Sequence, residues 1–386
     1  MSVADFLNDL LETRPCRYGL LSYFKSDLVI GRSLREYGEW AQKEVDFLVD
    51  FIRPGDTVVD VGAFIGTHTL AFAHHVGDAG LVYAYEPNPL AYKVLEVNVQ
   101  QNNLSNVRLF NVGLAAKKRV FYISEFAPGL VDNPGAFSLV MREINKQKDS
   151  VHGTAVELVP LDEFELQECR LIKIDAEGME VEVIEGAHGL LERLRPLVYA
   201  ECLSIENGAR LIAIMREKGY EAFMHCVSAY NPDNFRKNDR NFFGKAQETN
   251  IFFSPNEDIS SLCVRSKKFR DLIPVSTLDD LALVLLRKPQ YKHEVLAGTK
   301  AANIIGNEFW ANELELDQLR AQLEQFQVEL SDAQAQIEAE REKRQNLEQE
   351  LQRLYQRLDW KRYRIVDRLA GIYWRIRHPR QSKGNV

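Results

Sequence analysis

Between residues 57 and 253 the chain alternates short runs of β-branched and aromatic residues with longer amphipathic stretches. Thr57–Val61, Leu81–Tyr85, 107–111, Leu171–Ile174, 197–200 and 250–253 are predicted strands. Several are apolar throughout, the pattern of strands covered on both faces. The stretches 68–76 and 90–102 have helical spacing, with Pro89 placed where a first helical turn accepts it. Strand–helix–strand alternation predicts an α/β fold, a doubly wound and mostly parallel sheet with helices on both sides. Residues 1–56 read as an N-terminal helical or cap segment, and 57–260 as the main domain.

The stretch 119–159 breaks the alternation. Pro128-Gly129 and Asn133-Pro134-Gly135 are turn signals, and an insertion there projects over the carboxyl ends of the strands, where such sheets bind ligands. It reads as a substrate-facing loop or hairpin, or as a plain surface excursion. Residues 261–311 form a connector with one helix over 277–286. From Leu316 a heptad runs through Leu319, Leu323, Phe326, Leu330, Ala333 and Ile337, passes Glu340 and Arg344, and resumes at Leu347, Leu351, Leu354 and Leu358. Eleven of these thirteen positions are apolar, so 312–359 is predicted to be a coiled coil. It would make a homo-oligomer or engage a partner enzyme; a long helix lying on the main domain is the alternative. In 360–386 the final 26 residues carry eight Lys or Arg against one acid, Asp367, interleaved with Trp360, Tyr363, Ile365, Leu369, Tyr373 and Trp374. A basic aromatic tail suits peripheral contact with an anionic membrane, or stays solvated.

Bulk charge changes the picture little. The net charge of −8 gives no general attraction to nucleic acid. Five scattered cysteines (Cys16, Cys169, Cys202, Cys226, Cys263) show no CxxC pair, so neither disulfides nor zinc are expected. No signal-like start and no apolar run of roughly 20 residues is present, and a cytoplasmic protein is expected.

The candidate chemistry begins at Asp60-Val61-Gly62-Ala63-Phe64-Ile65-Gly66-Thr67-His68, which follows the first strand and opens the first helix. A dinucleotide fingerprint needs a second glycine for close approach to the pyrophosphate; Phe64 stands there. Asp60 would repel a pyrophosphate and attract the ammonium and sulfonium of S-adenosylmethionine, by roughly 4 kcal/mol at about 4 Å for an effective dielectric of about 20. Glu86 closes the second strand, where an acid binds ribose hydroxyls. Asn111 and Gly113 stand at the third strand tip, near the expected adenine. The stretch 172–180 brings Asp175, Glu177 and Glu180 to a fourth tip, where one carboxylate could face the methyl donor and another orient or deprotonate a hydroxyl. Helix capping is the plainer reading of Glu177 and Glu180.

These motifs resemble the FkbM family of methyltransferases over about residues 30–255. The likeness rests on DVGAFIGTHT at 60–69, Glu86-Pro87, Asn102-Asn103-Leu104, Leu161-Asp162, IKIDAEGME at 172–180 and Glu201. It implies a seven-stranded Rossmann-like sheet, S-adenosylmethionine as methyl donor, and a hydroxyl acceptor on a glycan or small molecule. The family commonly has Asn where Phe64 stands, and Val where Ala176 stands. The cofactor set expected is Asp60, Gly62, Ala63, Phe64, Gly66, Thr67, His68, Glu86, Asn111, Gly113 and Asp175; the catalytic set is Asp175, Glu177 and Glu180; no metal is expected. The rivals are a nicotinamide-dependent oxidoreductase, a Mg²⁺-assisted transferase and a catalytically silent domain serving as a coiled-coil scaffold.

Overall fold

The computed structural model describes residues 10–123, 154–202 and 204–286, and within 330–377 the positions 330, 333–334, 337–338, 340–350, 352–354, 361–365, 367–373 and 377. Chain contacts divide it into two units, Met1–Ile305 and Gly306–Val386.

The first unit opens with a hairpin, β1 (Leu11–Cys16) and β2 (Gly19–Phe24), then α1 (Ile30–Glu36) and α2 (Gln42–Leu48). The cap is therefore part strand, where the sequence predicted helix. Ser22, in mid-hairpin, donates its N–H to Asn98 Oδ1 at 2.7 Å, so long-range pairing fixes a segment whose own pattern is weak.

Next come β3 (Thr57–Val61), α3 (Thr67–Val76), β4 (Leu81–Tyr85), α4 (Pro89–Gln101), β5 (Val107–Phe110), β6 (Gly113–Leu114), β7 (Arg119–Ile123) and β8 (Thr154–Val159). The unit continues with β9 (Leu171–Ile174), α5 (Glu180–Glu185), α6 (His188–Leu194), β10 (Leu197–Glu201), α7 (Ile205–Glu217), β11 (Tyr220–Ser228) and β12 (Gln247–Pro255). It closes with α8 (Ile259–Arg265), β13 (Ile273–Pro274) and α9 (Leu278–Leu285). Pro89 starts α4 behind an Asn88 cap, and Thr277 caps α9 in a reciprocal pair with Asp280.

The main sheet has the order β13-β11-β12-β10-β9-β3-β4-β5. The strands from β10 to β5 pair in parallel, and β12 lies antiparallel to both β10 and β11. Among the described residues the sheet thus has eight strands rather than the expected seven, because the two-residue β13 adds an edge to β11. Of this sheet's strands β11 and β13 were not predicted; in β11 the polar Glu221, His225 and Ser228 interrupt the apolar run. The order reverses direction across β3 and β9, leaving a crevice at their carboxyl ends.

The central strands alternate between two cores. Val59, Val61, Ile172, Ile174, Val198 and Ala200 pack on one face, and Val58, Leu171, Leu197, Tyr199 and Phe252 on the other. That is why these strands read as unbroken apolar runs. The exceptions, Asp60 and Lys173, are register partners on adjacent strands.

The inserted stretch stands on β7 and β8, an antiparallel pair, with β8 also joined to β6 in parallel. A hairpin base is thus present; residues 124–153 lie outside the described residues.

In the second unit the described positions are helical and exposed. Among the expected seam positions, Leu330, Ile337, Leu347 and Leu354 are 50–60% exposed. Arg344 and Glu348 pair one turn apart at 3.1 Å. The remaining seam positions lie outside the described residues, save the exposed Ala333, Glu340 and Arg344. Among the described residues no helix is long and apolar enough to cross a membrane.

Candidate active site

A cleft of about 990 Å³, counted to its open mouth, lies over the carboxyl ends of β3, β4 and β9. Its floor is the turn after β3. Gly62 has φ +74°, and a Cβ there would stand 1.7 Å from the Asp175 carbonyl oxygen, so two strand tips meet only because no side chain intervenes. Phe64 also has a positive φ, 48°, and its ring leans on Phe24 of the hairpin with centroids 6.1 Å apart. The backbone N–H of Phe64 is thereby free to donate to Glu86 Oε2 at 2.8 Å.

Glu86 closes β4 almost fully buried. Its second oxygen, Oε1, accepts the Asn88 N–H at 2.7 Å. Burial pushes the carboxyl up to about 7, against the pull of those two backbone donors, with Asp175 and Asp60 adding to the rise. Each oxygen keeps a lone pair for a ligand hydroxyl. Gly113 sits opposite, where a Cβ would meet Leu158 at 2.5 Å and Pro87 at 3.3 Å.

The strongest electrostatic feature is one that sequence reasoning missed. Lys173, on β9, is 4% exposed; its Nζ lies 3.1 Å from Asp175 Oδ2 and 3.8 Å from Asp60 Oδ1. Burial works to lower its ammonium, but Asp175 and Asp60 outweigh that and hold it well above the ordinary lysine range. The same contact decides Asp175. Burial would raise its carboxyl, yet Lys173 first, then His68 and Glu201, hold it below the ordinary value. A permanent cation is thus built between the two aspartates. The signal was present in sequence as a lysine inside an otherwise apolar strand, with Asp60 in the neighbouring one.

Asp60 therefore does not face the cleft. It is fully buried behind it, with Oδ2 accepting the Thr69 hydroxyl at 2.6 Å. Gly66 also lies outside the lining; at φ +92° it starts α3, where a Cβ would press on Leu95 at 2.6 Å. The Asn111 amide donates to the Glu86 and Pro87 carbonyls at 2.8 and 3.3 Å, fixing the turn after β4 rather than reaching into the cleft. Glu180 is likewise structural. Its Oε1 accepts the Ala176 and Gly178 N–H groups at 3.2 and 2.9 Å, and Oε2 the Asn207 amide at 2.5 Å. The other expected residues line the cleft: Gly62, Ala63, Phe64, Thr67, His68, Glu86, Gly113, Asp175 and Glu177.

Glu177 stands on the turn at φ +50°. Burial, then Asp175 and Glu180, push its carboxyl up to about 8. Glu201, at the tip of β10, is raised well above the usual range by burial and by Asp175. Among the described residues no group of His, Cys, Asp and Glu is arranged to hold a metal ion.

The far wall comes from the cap. Trp40 lines the cleft, and the ring of Phe243 packs on it with centroids 5.8 Å apart. The β11–β12 connection is clasped to the cap there. Tyr37 stacks on Phe242 at 4.8 Å with planes 1° apart, and Arg32 lies 4.3 Å over the same ring. Glu39 accepts Arg17, Asn231 and the Phe235 N–H at 2.7–2.8 Å.

Glycine turn, buried acid at the second tip and acid-bearing fourth tip coincide with one stretch of family likeness, which residues 60–222 show to the methyltransferase FkbM domain. That stretch matches the methyltransferase FkbM domain and covers less than half of the chain. The domain also resembles solved structures: a methyltransferase FkbM from Methylobacillus flagellatus KT (14% identity, 55% of this chain and 50% of that one, TM-score 0.34), an rRNA methylase from Streptococcus thermophilus (12%, 55% and 94%, 0.33) and a SAM-dependent O-methyltransferase from Thermotoga maritima (15%, 63% and 77%, 0.32). The match spans half the length of the Methylobacillus protein. No curated protein matches the chain. The matched stretch leaves out β12 and β13 of the main sheet and the residues of the second unit.

Proposed function

We propose that the protein is an S-adenosylmethionine-dependent methyltransferase that methylates a hydroxyl of a glycan or small molecule. The observation that carries this reading is the buried Glu86 carboxyl facing the same cleft as the bare Gly62 turn and Asp175. Gly62, Ala63, Phe64 and Thr67 would hold the methionine end of the donor, Glu86 the ribose hydroxyls, and Gly113 with Val112 the base. S-adenosylmethionine supplies an electrophilic methyl on a sulfonium. Asp175, held ionised by Lys173, would face that positive charge, and Glu177 would hydrogen-bond the acceptor. Much of the rate would come from placing the acceptor against the methyl.

The electrostatic support is narrower than the sequence implied. Lys173 offsets one of the acids, so selection against a pyrophosphate rests on Glu86, Asp175 and the Phe64 turn rather than on Asp60. Calorimetry with S-adenosylhomocysteine tests the reading: wild type should bind and Glu86→Ala should bind at least tenfold more weakly. Equal binding by both would reject the assignment. Labelled methyl transferred from S-adenosylmethionine into the glycolipid fraction of the source cells would identify the acceptor class.

The second unit is proposed to pair through 316–358 and to bring the domain to an anionic membrane surface. Lys361, Arg364 and Arg368 fall on one helical face, with Ile365, Leu369 and Ile372 beside it, which supports the membrane half. A cytoplasmic location, peripheral to the membrane, goes with this proposal. A silent domain used as an assembly scaffold is the alternative, and methyl turnover separates the two.

A further inference from the structure

The proposed reaction must dispose of a proton, and most of the groups lining the cleft are not placed to take it. Glu86 is pinned by two backbone donors, and Asp175 is paired with Lys173. Glu177 holds its own proton until about pH 8. His68 differs. It is the second residue of α3, lines the cleft, is only 5% exposed, and its Nε2 has no hydrogen-bond partner. Unpartnered buried nitrogens are rare enough to need a reason.

That nitrogen lies 3.6 Å from Oε2 of Glu44, a buried carboxylate on α2. Glu44 is itself held from behind, since its Oε1 accepts the Asn250 amide of β12 at 2.8 Å. The arrangement is a base with an orienting acid behind it, one small movement short of a hydrogen bond; catalytic hydrogen bonds are often long before the ligand binds.

Resting on the methyltransferase reading, we infer that His68 is the general base for the acceptor hydroxyl and that Glu44 is its positioning residue. Glu44 would fix the ring with its proton on Nε2, leaving Nδ1 to accept. As the hydroxyl oxygen bonds to the methyl carbon, the carbon–sulfur bond breaks with its electron pair remaining on sulfur. The hydroxyl proton passes to Nδ1. The products are the methyl ether, S-adenosylhomocysteine and an imidazolium, which then releases its proton to water.

The groups facing His68 are Glu44 from α2, Asp60 from β3, and Lys173 and Asp175 from β9 and the turn after it. Burial first, then Lys173, lower the ring to about 4, against Asp60 and Asp175. His68 is accordingly neutral and ready to accept at neutral pH, and the three carboxylates support the imidazolium once it forms.

Two measurements on the full chain test this. Nitrogen-15 spectra of the histidine rings, assigned with His68→Gln, should show His68 neutral from pH 5.5 to 8 with its proton on Nε2. In Glu44→Gln that single tautomer should give way to a mixture. The same tautomer in both proteins overturns the role of Glu44. Transfer of labelled methyl into the glycolipid fraction should fall by roughly 10²- to 10⁴-fold in His68→Gln, while S-adenosylhomocysteine binding stays within about threefold. Transfer within about threefold of wild type overturns the base, as does parallel loss of S-adenosylhomocysteine binding, which would make His68 a donor-binding residue. Wild type that does not bind S-adenosylhomocysteine would sink the cofactor reading instead, and the tautomer comparison would still decide the pair.

Discussion

At the scale of single residues, the cleft depends on positions where chemistry and backbone cannot be separated. Gly62→Ala would force a methyl against the Asp175 carbonyl at a φ of +74°. A loss of roughly 2–4 kcal/mol in denaturant unfolding is expected. Glu86 and Glu177 make a pH prediction. Their folded values, about 7 and about 8, lie above the 4.5 of an ordinary glutamate, so the folded chain holds protons that the unfolded chain has released. The stability they contribute is full below about pH 4.5 and is lost as pH rises through 7 and 8. The melting temperature of the unliganded protein should therefore fall between pH 6 and 9, and Glu177→Gln should flatten that fall. Ligand binding should run the other way. A ribose donating to ionised Glu86 is favoured as pH rises, so S-adenosylhomocysteine affinity should climb until about pH 7 and then level off. A pH-independent affinity in wild type would count against Glu86 as its partner. Sequence alone placed Gly62, Glu86 and Asp175 at strand tips, and the structure brings all three to one cleft. Sequence could not show that Asp60 is spent on Lys173 and Thr69. Both partners are ordinary in sequence, and only strand register sets them side by side.

At the scale of elements, Glu180 shows how a short helix can serve a site without touching it. One of its oxygens gathers the Ala176 and Gly178 N–H groups, and the other reaches Asn207 on α7. Glu180→Ala should cost roughly 2–3 kcal/mol by leaving those donors unpaired, whereas Glu180→Gln should recover part of it. Thermal unfolding of the two variants checks this, and equal losses would mean that the carboxylate's charge, not its hydrogen bonding, matters. Elements with strong local signals were legible: the apolar parallel strands, α4 behind Asn88-Pro89, and α9 behind Thr277. The cap hairpin, β11 and β13 were not. Their patterns are mixed, and they exist through pairing with distant partners, such as the Asn98 contact to Ser22 and the β12 ladder along β11.

At the scale of the whole molecule, the first unit contains both cores and the cleft, and the second shows exposed helical positions. If the seam pairs chains, removing residues 306–386 should convert a dimer into a monomer in sedimentation. The main unfolding transition should shift by no more than a few degrees. A monomeric full-length protein would reject the pairing. The heptad pattern of 316–358 can be read without tertiary context, but the identity of a partner is not encoded in it.

The strand order carries a practical consequence for anyone wishing to transplant this chemistry. The recognisable family segment stops at Ala222, inside β11, yet the neighbour of both β10 and β11 is β12, which begins 25 residues later at Gln247. Cutting a gene at the edges of the recognisable segment would leave a gap in the middle of the sheet and strip Trp40 from the wall. A portable module has to run at least from the first hairpin to Pro255.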